Sequence, residues 1–262
     1  MQLGPEIIAF LMAVAFVAGM IDAIAGGGGL LTIPALMAVG VPPVAALATN
    51  KLQSTFGTGG AVFAFARKDH IDLRRFALPA AAAFAGAAGG AFTVTQIDPS
   101  WLAGLVPILL VAILLYFLFG PRLGDEDRHS RAGPPLLVVT ALLIGAYDGF
   151  FGPGTGSFFT TALVAVFGLG MVRAIAHTKL LNFASNLAAL IIFVASGEIL
   201  WVAGLAMALA NIAGGQVGAH AAMRFGGRMA RPLLIIMSLG LTAKLLSDPA
   251  NPLTALILSR LS

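Results

Sequence analysis

The chain has 262 residues, 59% of them hydrophobic and 10% charged, with a mean hydropathy of +0.97 and a formal net charge of +4. So much apolar surface excludes a water-soluble domain of this length, and the long uncharged runs do not alternate in polarity as barrel strands would; we read an all-α polytopic membrane protein. The absence of cysteine excludes a disulfide framework, a thiolate metal site and a cysteine nucleophile, and the basic residues sit in short loops between apolar runs, where they orient helices rather than bind nucleic acid.

The start, Met1 to Glu6, lacks the positive region of a signal peptide, although Ala23-Ile24-Ala25 imitates a cleavage site, so this segment is expected to be retained. The first apolar segment is expected over 6–24, breaking at glycines and resuming over 29–39. It contains "GMIDAIAGGGGLLTIPAL", Gly19 to Leu36, which places an acid and four consecutive glycines inside an apolar run. A helix over 44–66 carries Lys51, and further helices are expected over 76–95 and 101–119. After the charged linker "GPRLGDEDRHSRAG", Gly120 to Gly133, a second broken segment is expected over 134–151 with 155–168. Helices over 172–195, carrying Lys179, over 199–222 and over 231–247 complete the chain.

The second half repeats the first. "GMIDAIAGGGG" (Gly19 to Gly29) matches "GAYDGFFGPGT" (Gly145 to Thr155) at an offset of 126, pairing Asp22 with Asp148 and Gly26 with Gly152. "ATNKLQSTFGT" (Ala48 to Thr58) matches "AHTKLLNFASN" (Ala176 to Asn186) at an offset of 128, which pairs Lys51 with Lys179 and also carries Gly86 and Gly90 onto Gly214 and Gly218. We therefore divide the chain into a first transmembrane repeat, 1–119, a cytoplasmic linker, 120–133, and a second repeat, 134–262.

Loop charge relates the copies. The loop after the first lysine helix is basic (Arg67, Lys68, Arg74, Arg75), whereas "QIDPS" after the next helix has no Lys or Arg; in the second copy "SGEIL" has none and the next loop carries Arg224, Arg228 and Arg231. Under the positive-inside rule the copies point in opposite directions. Inversion requires an odd number of crossings per copy, which three plain helices plus a glycine-broken hairpin supply. Arg122, Arg128, Arg131 and Arg173 then also fall in the cytoplasm, and both termini are expected in the periplasm. Inverted repeats with interrupted helices meeting near the midplane are a recurring plan of secondary transporters.

Polar groups inside the membrane mark the candidate site. Irregular backbone at membrane depth must face protein or a cavity. Gly26, Gly27, Gly28 and Gly29, and Gly154, Thr155, Gly156 and Ser157, are therefore expected to point inward, where amides and helix N-termini suit an anion; close helix packing is the plainer alternative. Lys51 and Lys179 either add positive charge to the cavity or snorkel to the interface. Asn50, Gln53 and Ser54, with Thr178, Asn182, Ser185 and Asn186, form polar faces able to contact ligand oxygens or to hold structure. Asp22 and Asp148 are expected to pair with the lysines, to carry a coupling ion (protons or sodium), or to cap the following turn through backbone amides; His177, whose counterpart is Thr49, is either a titrating group near Lys179 or an ordinary hydrogen-bonding residue. Gln96, Asn211, Gln216 and His220 are weaker candidates. "AGAAGGA" (Ala85 to Ala91) and "AGGQVGA" (Ala213 to Ala219) are read as packing faces. No metal, cofactor or catalytic residue is called for.

At these residues, above all "GMIDAIAGGGGLLTIPAL" followed by "GVPPVAALATNKLQSTFGT", and their counterparts "GAYDGFFGPGTGSFFTTAL" and "AIAHTKLLNFASN", the chain resembles the TauE/SafE sulfite exporter family over nearly its whole length. The resemblance implies export of sulfite or a small organosulfur anion, such as sulfoacetate, across the bacterial inner membrane. A negative-inside potential favours anion exit by about 2.3 kcal/mol per charge per 100 mV, so efflux needs no coupled ion. The expected partners are a small anion and the lipid bilayer, with a homodimer left open. The alternative from another class is an intramembrane hydrolase using Asp22 and Asp148 as a catalytic pair.

Overall fold

The computed structural model describes residues 3–119 and 132–225. Within them lie α1 (Pro5–Ala25), α2 (Gly29–Ala38), α3 (Pro43–Ala66), α4 (Leu73–Thr95), α5 (Pro99–Phe119), α6 (Pro134–Phe150), α7 (Thr155–Ala165), α8 (Met171–Ser196) and α9 (Trp201–Phe225), with no strand among the described residues. The expected helix over 231–247, most of the linker and the basic residues Arg122, Arg128, Arg131, Arg228 and Arg231 lie outside the described residues.

Local chemistry sets the element boundaries. Prolines open α1, α3 and α6, where a missing N–H costs nothing. At the first break Gly26 takes φ 77°, and its N–H closes onto the Asp22 carbonyl, ending α1 in the left-handed turn that glycine tolerates. Its repeat partner Gly152 takes φ 98° at the second break.

Among the described residues, four helices are long and apolar enough to cross a membrane: Pro5–Ile24, Leu73–Thr95, Met171–Ser196 and Trp201–Ala221. Large apolar side chains such as Phe63, Phe92, Trp101, Leu143, Val202 and Leu209 stand exposed around the outside, as a lipid-facing surface requires. The protein is an all-helical membrane protein. The arms of each broken segment are unequal: α1 has 21 residues and α2 has 10, or about 31 and 15 Å at 1.5 Å per residue.

The two halves exchange partners. α9 packs on α1, and α4 packs on α6, through glycines that leave no room for a side chain. A Cβ at Gly214 would lie 1.9 Å from the Phe16 carbonyl oxygen, and one at Gly218 2.2 Å from that of Met20. At the equivalent places, Gly86 would meet the Leu142 oxygen at 2.1 Å and Gly90 the Ala146 oxygen at 2.0 Å. The offsets of 128 between the glycines and 126 between the carbonyls are those of the sequence repeat. The packing-face reading of both small-residue runs is thus met in contacts. Between the two scaffolds, α3 and α8 face each other, and around them lies a core that includes Leu30, Ile33, Leu47, Leu52, Ile113 and Phe193.

Candidate functional site

Lys51 sits eight residues into α3 and Lys179 eight residues into α8, about 12 Å along each axis from the helix start. Both are buried, each with a relative exposure of 1%. Neither runs out to an interface. Lys51 Nζ lies 2.8 Å from Asp148 Oδ1 and donates to Asn186 Oδ1 at 2.9 Å. Lys179 Nζ lies 2.9 Å from Asp22 Oδ2 and also donates to the Asp22 carbonyl. Each lysine pairs with the aspartate of the opposite half, so two ion pairs tie the repeats together beside the two breaks.

The aspartates are held on their other oxygens as well. Asp22 Oδ1 accepts the Gly28 N–H at 3.2 Å, stitching the break it precedes, and Asp148 Oδ2 accepts the Ser185 hydroxyl at 2.5 Å. Asp148 is the more enclosed, its side chain 3% exposed against 21% for Asp22. A catalytic dyad would share one proton between two carboxylates; here each carboxylate carries its own ammonium, and the hydrolase reading has no support.

Between the breaks and the lysine helices is a cavity lined by Asp22, Gly26, Gly29, Asn50, Lys51, Ser54, Asp148, Gly152, Gly156, Asn182 and Asn186. It leaves about 20 Å³ for the centres of water-sized spheres, somewhat more than one water needs. Both glycine breaks and both lysine helices contribute to it. Gly26 and Gly156 make the closest backbone crossing there, since a Cβ on Gly26 would lie 2.2 Å from Gly156 Cα. The glycines therefore serve packing as well as the cavity wall.

Asn50 is fixed by its oxygen, which accepts from Thr32 Oγ1 at 2.5 Å and Gln53 Nε2 at 2.9 Å. Gln53 in turn accepts from Asn211 Nδ2 at 2.6 Å, so Gln53 supports the lining from behind. Asn182 differs from its neighbours: its Oδ1 is buried without a hydrogen-bond partner among the described residues.

Other expected residues lie apart from the lining. Thr178 bonds Thr160 at 3.1 Å, and Thr155 Oγ1 donates to the Gly152 carbonyl at 2.6 Å. Gly27, Gly28, Gly154 and Ser157 shape the breaks without lining the cavity. His177 stacks on Phe76 with ring centroids 3.9 Å apart; its Nδ1 donates to the Arg173 carbonyl and its Nε2 accepts the Asp72 N–H at 2.9 Å. It fastens α8 to the start of α4, away from the cavity. Thr32 and Tyr147, whose hydroxyl bonds the Pro153 carbonyl at 2.6 Å, escaped the sequence reading because a single Thr or Tyr in an apolar run carries no periodic signal.

Comparison with known proteins gives a consistent account. The model of the family described as "Sulfite exporter TauE/SafE" matches residues 11–245. The chain is 47% identical over 249 residues, 95% of each chain, to a protein of Sinorhizobium sp. named "Probable membrane transporter protein ORF9". It is 45% identical to a "Probable membrane transporter protein" of Haemophilus influenzae, covering 95% of this chain and 98% of that one. To the "Probable membrane transporter protein YfcA" of Escherichia coli it is 42% identical, covering 94% of this chain and 92% of the other. No solved structure matches the chain significantly.

Proposed function

The chain belongs to the sulfite exporter TauE/SafE family, and from that premise we propose that it is a secondary transporter exporting a small sulfur oxyanion, sulfite or an organosulfonate such as sulfoacetate. Export runs across the bacterial inner membrane by alternating access, with the two halves inverted in the bilayer and both termini in the periplasm. Relatives named as membrane transporters agree with a role in transport rather than catalysis.

The observation that carries this reading is the cavity itself. Residues of both halves line it, and the cross-half pairs Lys51–Asp148 and Lys179–Asp22 stand beside it. A site shared between two repeats is where rocking of one against the other exposes a ligand to each side in turn. Broken helices bring backbone and the starts of α2 and α7 to the same place, which suits an anion. Arg173 stands at the start of α8 and the 197–200 turn, which has no Lys or Arg, at its other end, a bias that supports a cytoplasmic start for α8.

Proteoliposomes loaded with sulfite test it. Protein-dependent efflux, accelerated by an interior-negative potential and slowed by Asn50→Ala and Ser54→Ala, is the expected result. Efflux no faster than from protein-free vesicles, with sulfite, sulfoacetate and sulfate alike, overturns the reading.

A further inference from the structure

The cavity distributes its hydrogen-bonding groups unevenly, and the imbalance bears on the form of the ligand. Four charged groups surround it, Lys51 and Lys179 against Asp22 and Asp148, and they are matched in two ion pairs. The lining therefore offers no surplus positive charge to repay the dehydration of a second negative charge on a ligand.

Donors are nevertheless present. Lys51, which lines the cavity, has three N–H groups and gives one to Asp148 and one to Asn186, which leaves a third to donate. Asn50 is oriented by the donors on its oxygen, Thr32, Gln53 and Ser54, which turns its amide nitrogen away from them; that nitrogen has no partner among the described residues. These N–H groups suit the bare oxygens of an oxyanion. The same lining holds an acceptor with nothing to accept. Asn182 is 4% exposed, lines the cavity, and its Oδ1 has no donor among the described residues. A buried unpaired carbonyl is unfavourable, so a ligand carrying a proton at that point recovers what an aprotic one forfeits.

We propose that Asn182 is a specificity-determining residue, and that the cavity takes an oxyanion in its singly protonated, monoanionic form, with bare oxygens toward Asn50 and Lys51 and its hydroxyl donating to Asn182 Oδ1. The inference rests on the anion-export reading and narrows it: hydrogen sulfite is the favoured chemistry, and a dianion or a sulfonate without a hydroxyl at sulfur is disfavoured.

The test is calorimetric binding to the full-length protein in detergent or nanodiscs, in one mildly acidic buffer, with sulfite (present there mainly as hydrogen sulfite), methanesulfinate and sulfate. Methanesulfinate is a monoanion of similar size and shape in which a methyl replaces the hydroxyl, and using one buffer holds the state of Asp22, Lys51, Asp148 and Lys179 constant. Wild-type protein is expected to bind hydrogen sulfite at least about tenfold tighter than either other anion, because a site built to meet a hydroxyl rejects its isostere. Asn182→Leu is expected to bring hydrogen sulfite and methanesulfinate to within about twofold of each other, chiefly by weakening hydrogen sulfite. Equal binding of the three anions by wild type, or discrimination that survives in Asn182→Leu, overturns the inference while leaving anion export standing. Binding of none of them overturns both. The wild-type comparison decides even if the variant fails to fold.

Discussion

Lys179 donates to the Asp22 carboxylate at 2.9 Å across 157 residues of sequence, and the same nitrogen also bonds the carbonyl of Asp22 at the end of the broken helix. With Lys51 on Asp148 at 2.8 Å, the arrangement is reciprocal: each half supplies the cation for the other's anion. Charges at this depth are tolerated because they are matched and hydrogen-bonded, and the reciprocity makes the matching a property of the assembled pair of halves.

Removing one member of the Lys51–Asp148 pair strands a charge. Asp148→Ala is expected to destabilise the protein by about 3–5 kcal/mol, and Lys51→Met combined with Asp148→Leu to restore most of that loss. Asp22→Ala should cost less, because Asp22 is 21% exposed and water partly screens its lysine. Denaturant unfolding of the solubilised protein reads all three, and equal losses for the single and double variants would contradict the pairing.

Neighbouring glycines on α4 give a sharper contrast. A Cβ at Gly90 would lie 2.0 Å from the Ala146 oxygen, while one at Gly89 meets nothing within 4 Å. Gly90→Ala should cost about 1–3 kcal/mol through overpacking against α6, whereas Gly89→Ala should be neutral or mildly stabilising. Melting temperatures of the two variants, measured side by side, check this.

Asn211 holds Gln53, which holds Asn50. Asn211→Ala removes the first link and leaves a buried amide oxygen unpaired, at an expected cost of about 1–3 kcal/mol. Sulfite affinity should fall several-fold as well, since Asn50 loses its orientation. Unaltered affinity with lowered stability would confine Asn211 to a structural role.

Orientation is open to direct chemistry because the chain has no native cysteine. Single cysteines at Asp69, between α3 and α4, and at Ile97 and Glu198, in the turns before α5 and α9, report the two faces. In whole cells an impermeant thiol reagent is expected to label Ile97→Cys and Glu198→Cys, and Asp69→Cys only after lysis. Labelling of both Asp69→Cys and Glu198→Cys in intact cells would refute the inverted arrangement.

Much of this architecture was legible in the residues. Proline at helix starts and glycine at the breaks are local signals, so the expected 44–66 and 101–119 compare with α3 at Pro43–Ala66 and α5 at Pro99–Phe119. Ion pairing of Asp22 and Asp148 with the two lysines followed from the cost of lone charges in lipid, but which aspartate meets which lysine did not. That choice depends on how α1 and α6 cross α8 and α3, a tertiary fact without a periodicity. The surroundings of His177 turn on a similar fact: it stands two positions before Lys179, which puts it about 200° around α8, away from the cavity and onto Phe76. Asn211 looked marginal in sequence because its importance comes entirely from Gln53, on a helix of the other half.

The exchange of packing partners sets a timetable for biogenesis. α1 is synthesised early, yet the helix that covers its small-residue face begins at Trp201, after the rest of the fold has emerged. At roughly 5–20 residues per second, that is an interval on the order of 10–35 s. Through it, Asp22 must wait in the nascent chain for Lys179, and the carbonyls of Phe16 and Met20 for the glycines of α9. α6 has no such delay, because α4 precedes it and meets it as it is made. The early half is thus the exposed half during insertion, and an interrupted chain ending before α9 leaves bare the face of α1 that α9 covers.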